Sequence, residues 1–269
     1  LDASKVSFFG LSWGAITGTP FIALANSGVV NPATGELLPF NPYSITSASL
    51  ASPGGGLAGV LLESPEFGPS AMAGLTGSGA FKELIEEGTG IKVEDMTTEQ
   101  YADAVATYYP SFAQAFNIAA QWALDSSDPT NYADTVQKTQ TPVHLLEIVG
   151  TGVEVCNNIT IPENCSDQVV INSSASLPLV GTEPLIAALG LSGISETIGD
   201  GTSMVSAVVR FIKGHHSSAL NPATVPGIAE NAEVNLAVTV EMQTEIVNFA
   251  ASGGKYLPIN DNTNILVVE

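Results

Sequence analysis

A serine framed by glycines, Gly10-Leu11-Ser12-Trp13-Gly14, separates a short apolar stretch from a run of small apolar residues. The stretch at 5–9 is predicted to be a buried strand, and the run at 15–26 a helix packed closely against a sheet. A G-x-S-x-G sequence between a strand and a helix is typical of a nucleophile elbow, a strained turn whose glycines remove clashing Cβ atoms. This feature predicts an α/β fold that lifts the Ser12 hydroxyl above the sheet, at the positive end of the helix dipole.

Three further apolar stretches, at 41–50, 142–149 and 204–212, are predicted to be strands. Helices are predicted at 185–191 and 231–250. Strands that alternate with helices indicate an α/β domain with a mainly parallel sheet.

Residues from about 68 to 132 are predicted to form a helical insertion on this sheet, because their apolar residues recur at helical spacing. Thr97 or Thr98 is the expected N-cap of one helix, and Pro110 is expected to begin another, since proline is tolerated in a first turn. The sequence shows no internal repeat and no long linker. The whole chain, 1–269, is therefore expected to form one domain that carries this insertion.

The charge of the chain limits its partners. Asp and Glu number 27 against 7 Lys and Arg, which gives a formal net charge of −20. Such a chain repels phosphate backbones, so nucleic-acid binding is not expected. It also repels anionic lipid surfaces unless an apolar patch does the docking, so the expected contact with a lipid interface is at most transient. No apolar run reaches the roughly 18 residues of a transmembrane helix. The chain begins at Leu1, and any export signal is expected to have been removed or to lie outside it.

Two cysteines, Cys156 and Cys165, lie close together in CNNITIPENC. The sequence predicts a short disulfide loop and hence an oxidising compartment; the alternative is two free thiols that happen to be close. Neither cysteine has a partner at the spacing of a zinc site, so a structural metal is not expected. No motif indicates a metal or an organic cofactor, and calcium binding to the acidic surface stays open.

A serine nucleophile needs a base, and the chain has three histidines. His144 lies inside an apolar strand and is predicted to be a packed sheet residue. His215 and His216 follow the last buried strand, where an α/β-hydrolase places its base. Adjacent residues point in different directions, so only one can serve, and His216 is the predicted base. The alternative is two surface histidines in a loop.

The carboxylate that orients the base is expected in the loop after the strand at 142–149. Asp167 is the predicted acid, with Glu154 and Glu163 as competitors in the same loop. The backbone N–H of Trp13, directly after the nucleophile, is the expected oxyanion donor. A second pattern, G-x-G-x-x-G at 54–59, lacks the acidic residue of a dinucleotide-binding unit and does not predict one.

These stretches together resemble a known family, the bacterial extracellular lipases of the Pla-1/cef type (virulence-factor lipases), within the α/β-hydrolases. The resemblance is carried by SKVSFFGLSWGAITGT, NPYSITSASLASPGGGLAGVLLESPEFGP, TPVHLLEIVG, SDQVVIN, PLVGTEPLIAALGL and VVRFIKGHHSSALNP. It implies a secreted or cell-surface hydrolase of carboxylic esters, with acyl lipids or phospholipids as substrates. The implied triad is Ser12, Asp167 and His216.

In an enzyme of this type the helical insertion forms a lid or cap. Its aromatic residues are expected either to line an acyl pocket or to form the insertion's own core. The candidates for substrate binding are Tyr108, Tyr109, Phe112 and Phe116, with Tyr101 and Trp122 nearby.

The chain departs from the family in three respects. Trp13 stands where a smaller aliphatic residue is expected, and the acid loop carries an insertion closed by Cys156 and Cys165. The strands that precede the elbow in an α/β-hydrolase are missing from this chain. The chain is thus expected to be the C-terminal part of the fold, and a separate N-terminal fragment is expected to complete the sheet and the oxyanion hole. Two other functions stay open: an acyltransferase or thioesterase with the same triad, and a non-catalytic binding module.

Overall fold

The computed structural model describes residues 2, 5–151 and 165–265. Five parallel strands form a sheet in the order β1-β2-β3-β5-β4, which confirms an α/β fold with a parallel sheet. The strands are β1 (Ser7–Leu11), β2 (Ser47–Ala51), β3 (Val143–Ile148), β4 (Ser192–Ile194) and β5 (Ala207–Phe211).

Helices cover both faces of the sheet, which explains why β2 and β3 are buried along their whole length. Three helices, α1 (Trp13–Asn26), α6 (Ala133–Lys138) and α7 (Thr182–Leu189), pack on one face around Leu50 and Leu145. The helix α8 (Ala232–Ser252) packs on the other face. The core is therefore divided into two apolar layers by the sheet.

The stretch between β2 and β3 is largely helical. It contains α2 (Leu57–Glu63), α3 (Gly68–Gly77), α4 (Gly79–Thr89) and α5 (Thr98–Leu124). The sequence predicts helices for residues 68–132, whereas α2 precedes the predicted range. Phe81, Ile85 and Ala104 form a small buried cluster of their own between α4 and α5. We refer to α3, α4 and α5 as the cap.

Several predicted boundaries differ from the structure by up to three residues: β1 spans Ser7–Leu11 and not 5–9, α7 spans Thr182–Leu189 and not 185–191, and β5 spans Ala207–Phe211 and not 204–212.

Two further predictions are wrong. Strand β2 begins at Ser47 and not at residue 41, because the side chain of Asn26 forms hydrogen bonds with both the N–H and the carbonyl of Ile45. Pro110 does not begin a helix but lies inside the 27-residue α5. Thr97 caps this helix through a reciprocal bond pair with Gln100.

None of the helices that the structure describes is long and apolar enough to cross a membrane.

Candidate active site

Ser12 occupies the sharp turn between β1 and α1. Its backbone has φ of 56° and ψ of −123°, a combination that residues with a side chain rarely adopt. The turn is held on both sides, because the Ser12 N–H donates to the carbonyl of Ala51 at 2.9 Å and its own carbonyl accepts from Ala15 and Ile16. The geometry is that of an elbow that presents the Ser12 side chain at the carboxyl edge of the sheet.

The two glycines that frame Ser12 are not equivalent. A Cβ at Gly10 would lie 2.5 Å from the carbonyl oxygen of Gly14, well inside contact distance. A Cβ at Gly14 would meet nothing within 4 Å. The expectation that both glycines remove a clash is therefore correct for Gly10 and wrong for Gly14.

Asp167 and His216 form a hydrogen-bonded pair. The Nδ1 atom of His216 lies 2.7 Å from Oδ2 and 2.9 Å from Oδ1 of Asp167. Asp167 is 2 % exposed, and its Oδ1 also accepts from the N–H groups of Val169 and Val170. A carboxylate on Nδ1 holds the proton there and leaves Nε2 as the acceptor that a general base requires.

The competing acids Glu154 and Glu163 lie outside the described residues. Asp167 is fixed at the end of β3, because its N–H donates to the carbonyl of Ile148 at 3.0 Å. The side-chain amide of Asn172 donates to the same carbonyl at 2.8 Å. The part of the loop that carries the acid is thus tied to the end of the strand at two points.

His215 has no ring nitrogen available to act as a base. Its Nδ1 accepts from the Ser217 N–H at 3.2 Å and its Nε2 donates to the Ala223 carbonyl at 3.1 Å, so both ring nitrogens are in use. Burial lowers the pKa of the His215 imidazole. The structure therefore pairs His216, and not His215, with the acid.

His144 is fully buried, as its position in an apolar strand predicts. Its Nε2 lies 3.0 Å from Glu245 and its Nδ1 lies 3.3 Å from the Ser49 hydroxyl. Burial lowers the pKa of His144 to about 3 and raises that of Glu245 well above its usual value, so both side chains are neutral partners in the core.

The three candidate residues share one edge of the sheet. Ser12 follows β1, Asp167 follows β3 and His216 follows β5, and all strands are parallel. Leu11, beside the serine, and Ala219, in the histidine loop, belong to the same apolar cluster. Among the described residues no hydrogen bond joins the Ser12 hydroxyl to His216; such bonds are often long in enzymes without substrate.

The predicted oxyanion donor lies in the first turn of α1. Backbone N–H groups there have no partner within the helix, and no other described residue accepts a hydrogen bond from Trp13 or Gly14. The Trp13 side chain is 61 % exposed, so it lies on the surface next to the nucleophile and not in the core.

The G-x-G-x-x-G stretch has a structural role that the sequence does not reveal. The buried carboxylate of Asp128 accepts from the N–H groups of Gly56 and Leu57 at the start of α2. A negative charge thus already occupies the N–H groups that a phosphate would need. Local sequence patterns do not predict this contact, because Asp128 lies 72 residues from Gly56 in the chain.

Three of the four aromatic residues proposed to bind substrate lie in the interior of the cap. Tyr108, Tyr109 and Phe112 pack against the buried cluster of α4 and α5, and the ring centres of Phe81 and Phe112 are 5.1 Å apart. Phe116 is half-buried on α5. Tyr109 also lines a cavity beside α5. The core interpretation fits Tyr108 and Phe112, because both pack against the buried cluster.

Cys165 is disulfide-bonded. Cys156, its predicted partner, lies outside the described residues. In the part of the chain that the structure describes, no group of three His, Cys, Asp or Glu side chains is arranged to hold a metal ion.

Comparisons with known protein families, with curated proteins and with solved structures found no match for this chain.

Proposed function

We propose that this protein is a serine-dependent carboxylic ester hydrolase with the α/β-hydrolase fold, acting on acyl lipids as a lipase or esterase. The observation that carries the proposal is the pairing of a buried Asp167 with Nδ1 of His216 on the sheet edge that also presents the Ser12 elbow. The three residues occur in the order serine, acid, histidine that this fold uses.

The mechanism follows from the roles of these groups. Nε2 of His216 takes the proton of the Ser12 hydroxyl as Oγ attacks the ester carbonyl, and Asp167 stabilises the imidazolium. The Trp13 N–H donates to the oxyanion. His216 then returns the proton to the leaving alcohol, and water, activated in the same way, releases the acid from Ser12.

Labelling with a fluorophosphonate tests the proposal, because this probe reacts with an activated serine. We expect the label on Ser12, and we expect Ser12→Ala and His216→Ala to abolish labelling and the hydrolysis of 4-nitrophenyl butanoate. Ser217→Ala, which changes a neighbouring hydroxyl of the histidine loop, is the matched control and should behave as the wild type. Ester hydrolysis that persists in Ser12→Ala would exclude the mechanism.

The open edge of β1 supports a proposed partner. Strand β1 pairs with β2, and no other described strand covers its outer side, to which Ser7, Phe9 and Leu11 direct their N–H and carbonyl groups. Next to this edge Phe21 of α1 is 51 % exposed, with its ring 5.6 Å from that of Phe8. We propose that a separate polypeptide pairs with β1 and supplies the second oxyanion donor.

Native mass spectrometry of active material tests this partner. We expect a second polypeptide to accompany the chain and activity to fall when it is removed. Full esterase activity in a lone 27.7 kDa species would contradict the partner but leave the triad intact. The disulfide at Cys165 supports a secreted or cell-surface location, since disulfides persist in oxidising compartments.

A further inference from the structure

Two cavities along α5 meet end to end. One has a volume of about 340 Å³ and the other about 360 Å³, and Asn117 and Leu177 line both. We call the combined space the α5 groove. Its volume is in the range of sites that bind small organic ligands.

One face of α5 forms the floor of the α5 groove. Tyr109, Ala113, Asn117 and Gln121 all line it, and residues four apart lie on the same face of a helix. From Tyr109 to Gln121 the helix rises about 18 Å at 1.5 Å per residue. The opposite wall is the segment 176–180, so the α5 groove is long and narrow.

The lining selects against anions. The wall residues Leu177, Pro178, Leu179 and Val180 are apolar. The charged residues that line the α5 groove are Glu63, Asp125 and Asp128, all acidic, and no Lys or Arg lines it. A carboxylate or phosphate would be repelled here, whereas an uncharged alkyl chain would meet apolar side chains.

The mouth of the α5 groove is also apolar. Trp122 on α5 is 79 % exposed and Leu179 on the facing segment is 72 % exposed, with Ile118 one turn before Trp122. Large apolar side chains at such exposure favour contact with an apolar ligand.

The α5 groove adjoins the candidate active site through one apolar cluster. Leu177 and Val180, from its wall, pack in the same cluster as Ile16 and Val170. The Ile16 N–H bonds to the Ser12 carbonyl, and the Val170 N–H bonds to Asp167. One layer of side chains thus separates this wall from the backbone that carries the nucleophile and the acid.

We propose that the α5 groove binds one uncharged long alkyl chain, the acyl chain of a long-chain ester. Its length, its apolar wall and its acidic lining select a neutral lipid chain over a fatty-acid anion. The assignment of this chain to the ester substrate rests on the proposed function; the binding of the chain does not.

Calorimetry with 1-O-dodecylglycerol, a neutral ether that cannot be hydrolysed, tests the binding on Ser12→Ala protein below the critical micelle concentration of the ligand. We expect saturable binding at one site, and dodecanoate at pH 8 should bind at least about tenfold more weakly. Ala113→Phe fills the floor and should weaken binding of the ether about tenfold or more. The matched control is Ala119→Phe, on an exposed part of α5, which should bind as before.

Melting curves of both variants show whether each is folded. Absence of saturable binding, equal binding of ether and anion, or unchanged binding by folded Ala113→Phe would each overturn the proposal. If Ala113→Phe does not fold, Leu177→Ala takes its place and should weaken binding through the lost contact.

Chain-length kinetics connect the α5 groove with the reaction. In Ala113→Phe we expect the rate ratio of 4-nitrophenyl hexadecanoate to butanoate to fall about tenfold. If hydrolysis requires Ser12 but the ratio is unchanged, the α5 groove is not the acyl site and the triad stands. If hydrolysis does not require Ser12, the triad fails, while calorimetry still decides on the α5 groove.

Discussion

Glu147 and Arg210 are register partners across strands β3 and β5, with Oε2 of the glutamate 3.1 Å from Nε of the arginine. Arg210 also binds Glu183 of α7 at 2.8 Å. Glu147 and Arg210 each lie one residue before the end of their strands. The loops that follow these strands carry Asp167 and His216. The hydrogen-bonded network therefore ties together the two strand ends beneath the acid and the base.

We predict that this network makes the protein less stable as pH rises from about 5 to 8. Burial, reinforced by the charge of Glu183, raises the pKa of Glu147 to about 8, although Arg210 opposes the shift. The folded state keeps the proton of Glu147 up to about pH 8, whereas the unfolded chain loses it near its usual pKa of 4.5. Between these two pH values only the unfolded chain is deprotonated, so the free energy of unfolding falls as pH rises. Glu147→Gln cannot ionise and should lose this part of the pH dependence.

Melting temperatures of the wild type and Glu147→Gln from pH 5 to 9 measure the effect. As pH rises, the melting temperature of Glu147→Gln should increase relative to that of the wild type by at least about 2–4 °C. In a domain of this size, such a shift corresponds to about 1 kcal/mol of stability. Lys138→Gln, which removes an exposed pair with Asp134, is a control that should leave the slope unchanged. Parallel curves for the wild type and Glu147→Gln would contradict the assigned pKa shift.

We predict that Asp167→Asn lowers kcat/KM for esters by about 10³–10⁴, while the melting temperature changes little. An amide no longer selects the His216 tautomer with its proton on Nδ1 and does not stabilise the imidazolium. The remaining Oδ1 can still accept from Val169 and Val170, so the loop should keep its shape. Steady-state kinetics and melting curves separate the two effects, with Asp134→Asn on the surface as a control. A loss below tenfold would show that Asp167 is not the orienting acid.

We predict opposite outcomes for alanine at the two glycines of the elbow. Gly10→Ala forces a Cβ to within 2.5 Å of the Gly14 carbonyl oxygen and should lower both stability and activity strongly. Gly14→Ala meets no neighbour and places a better helix former in the first turn of α1, so it should keep or raise stability by up to about 1 kcal/mol. Urea denaturation of both variants checks this. Equal losses of stability at the two positions would contradict the close approach of Gly10 to the Gly14 carbonyl.

Local patterns predict much of this fold and part of the site. The switch from an apolar strand to a small-residue helix identifies the Ser12 elbow, because such a turn has few alternative geometries. Continuous apolar stretches identify β3 and β5 because both faces of the sheet are covered. The order of the carboxylate and the histidine along the chain is compatible with the pair that the structure joins, Asp167 and His216, but it is equally compatible with Glu154 and Glu163 as the acid.

Features that depend on distant partners could not be predicted in this way. The carboxylate of Asp128 binds a helix start 72 residues away, and the cavity between α5 and the segment 177–180 exists only because that segment returns to α5. The side chain of Asn26 takes the hydrogen bonds of Ile45 and so delays the start of β2. In α5, packing of Tyr108 and Phe112 in the cap outweighs the local preference of Pro110 to begin a helix.

The strained backbone of Ser12 gives a last prediction, on stability alone. A residue with a side chain at φ of 56° and ψ of −123° costs about 1–3 kcal/mol, whereas glycine adopts positive φ at little cost. The Ser12 hydroxyl forms no hydrogen bond with a described residue, so its removal loses no contact of this kind. Ser12→Gly should therefore be more stable than Ser12→Ala by about 1–2 kcal/mol in urea denaturation. At Ser111 in α5 the same pair of substitutions should give the opposite order, by about 1 kcal/mol, because helical φ favours alanine. An alanine variant at position 12 as stable as the glycine variant would show that the turn stores no strain.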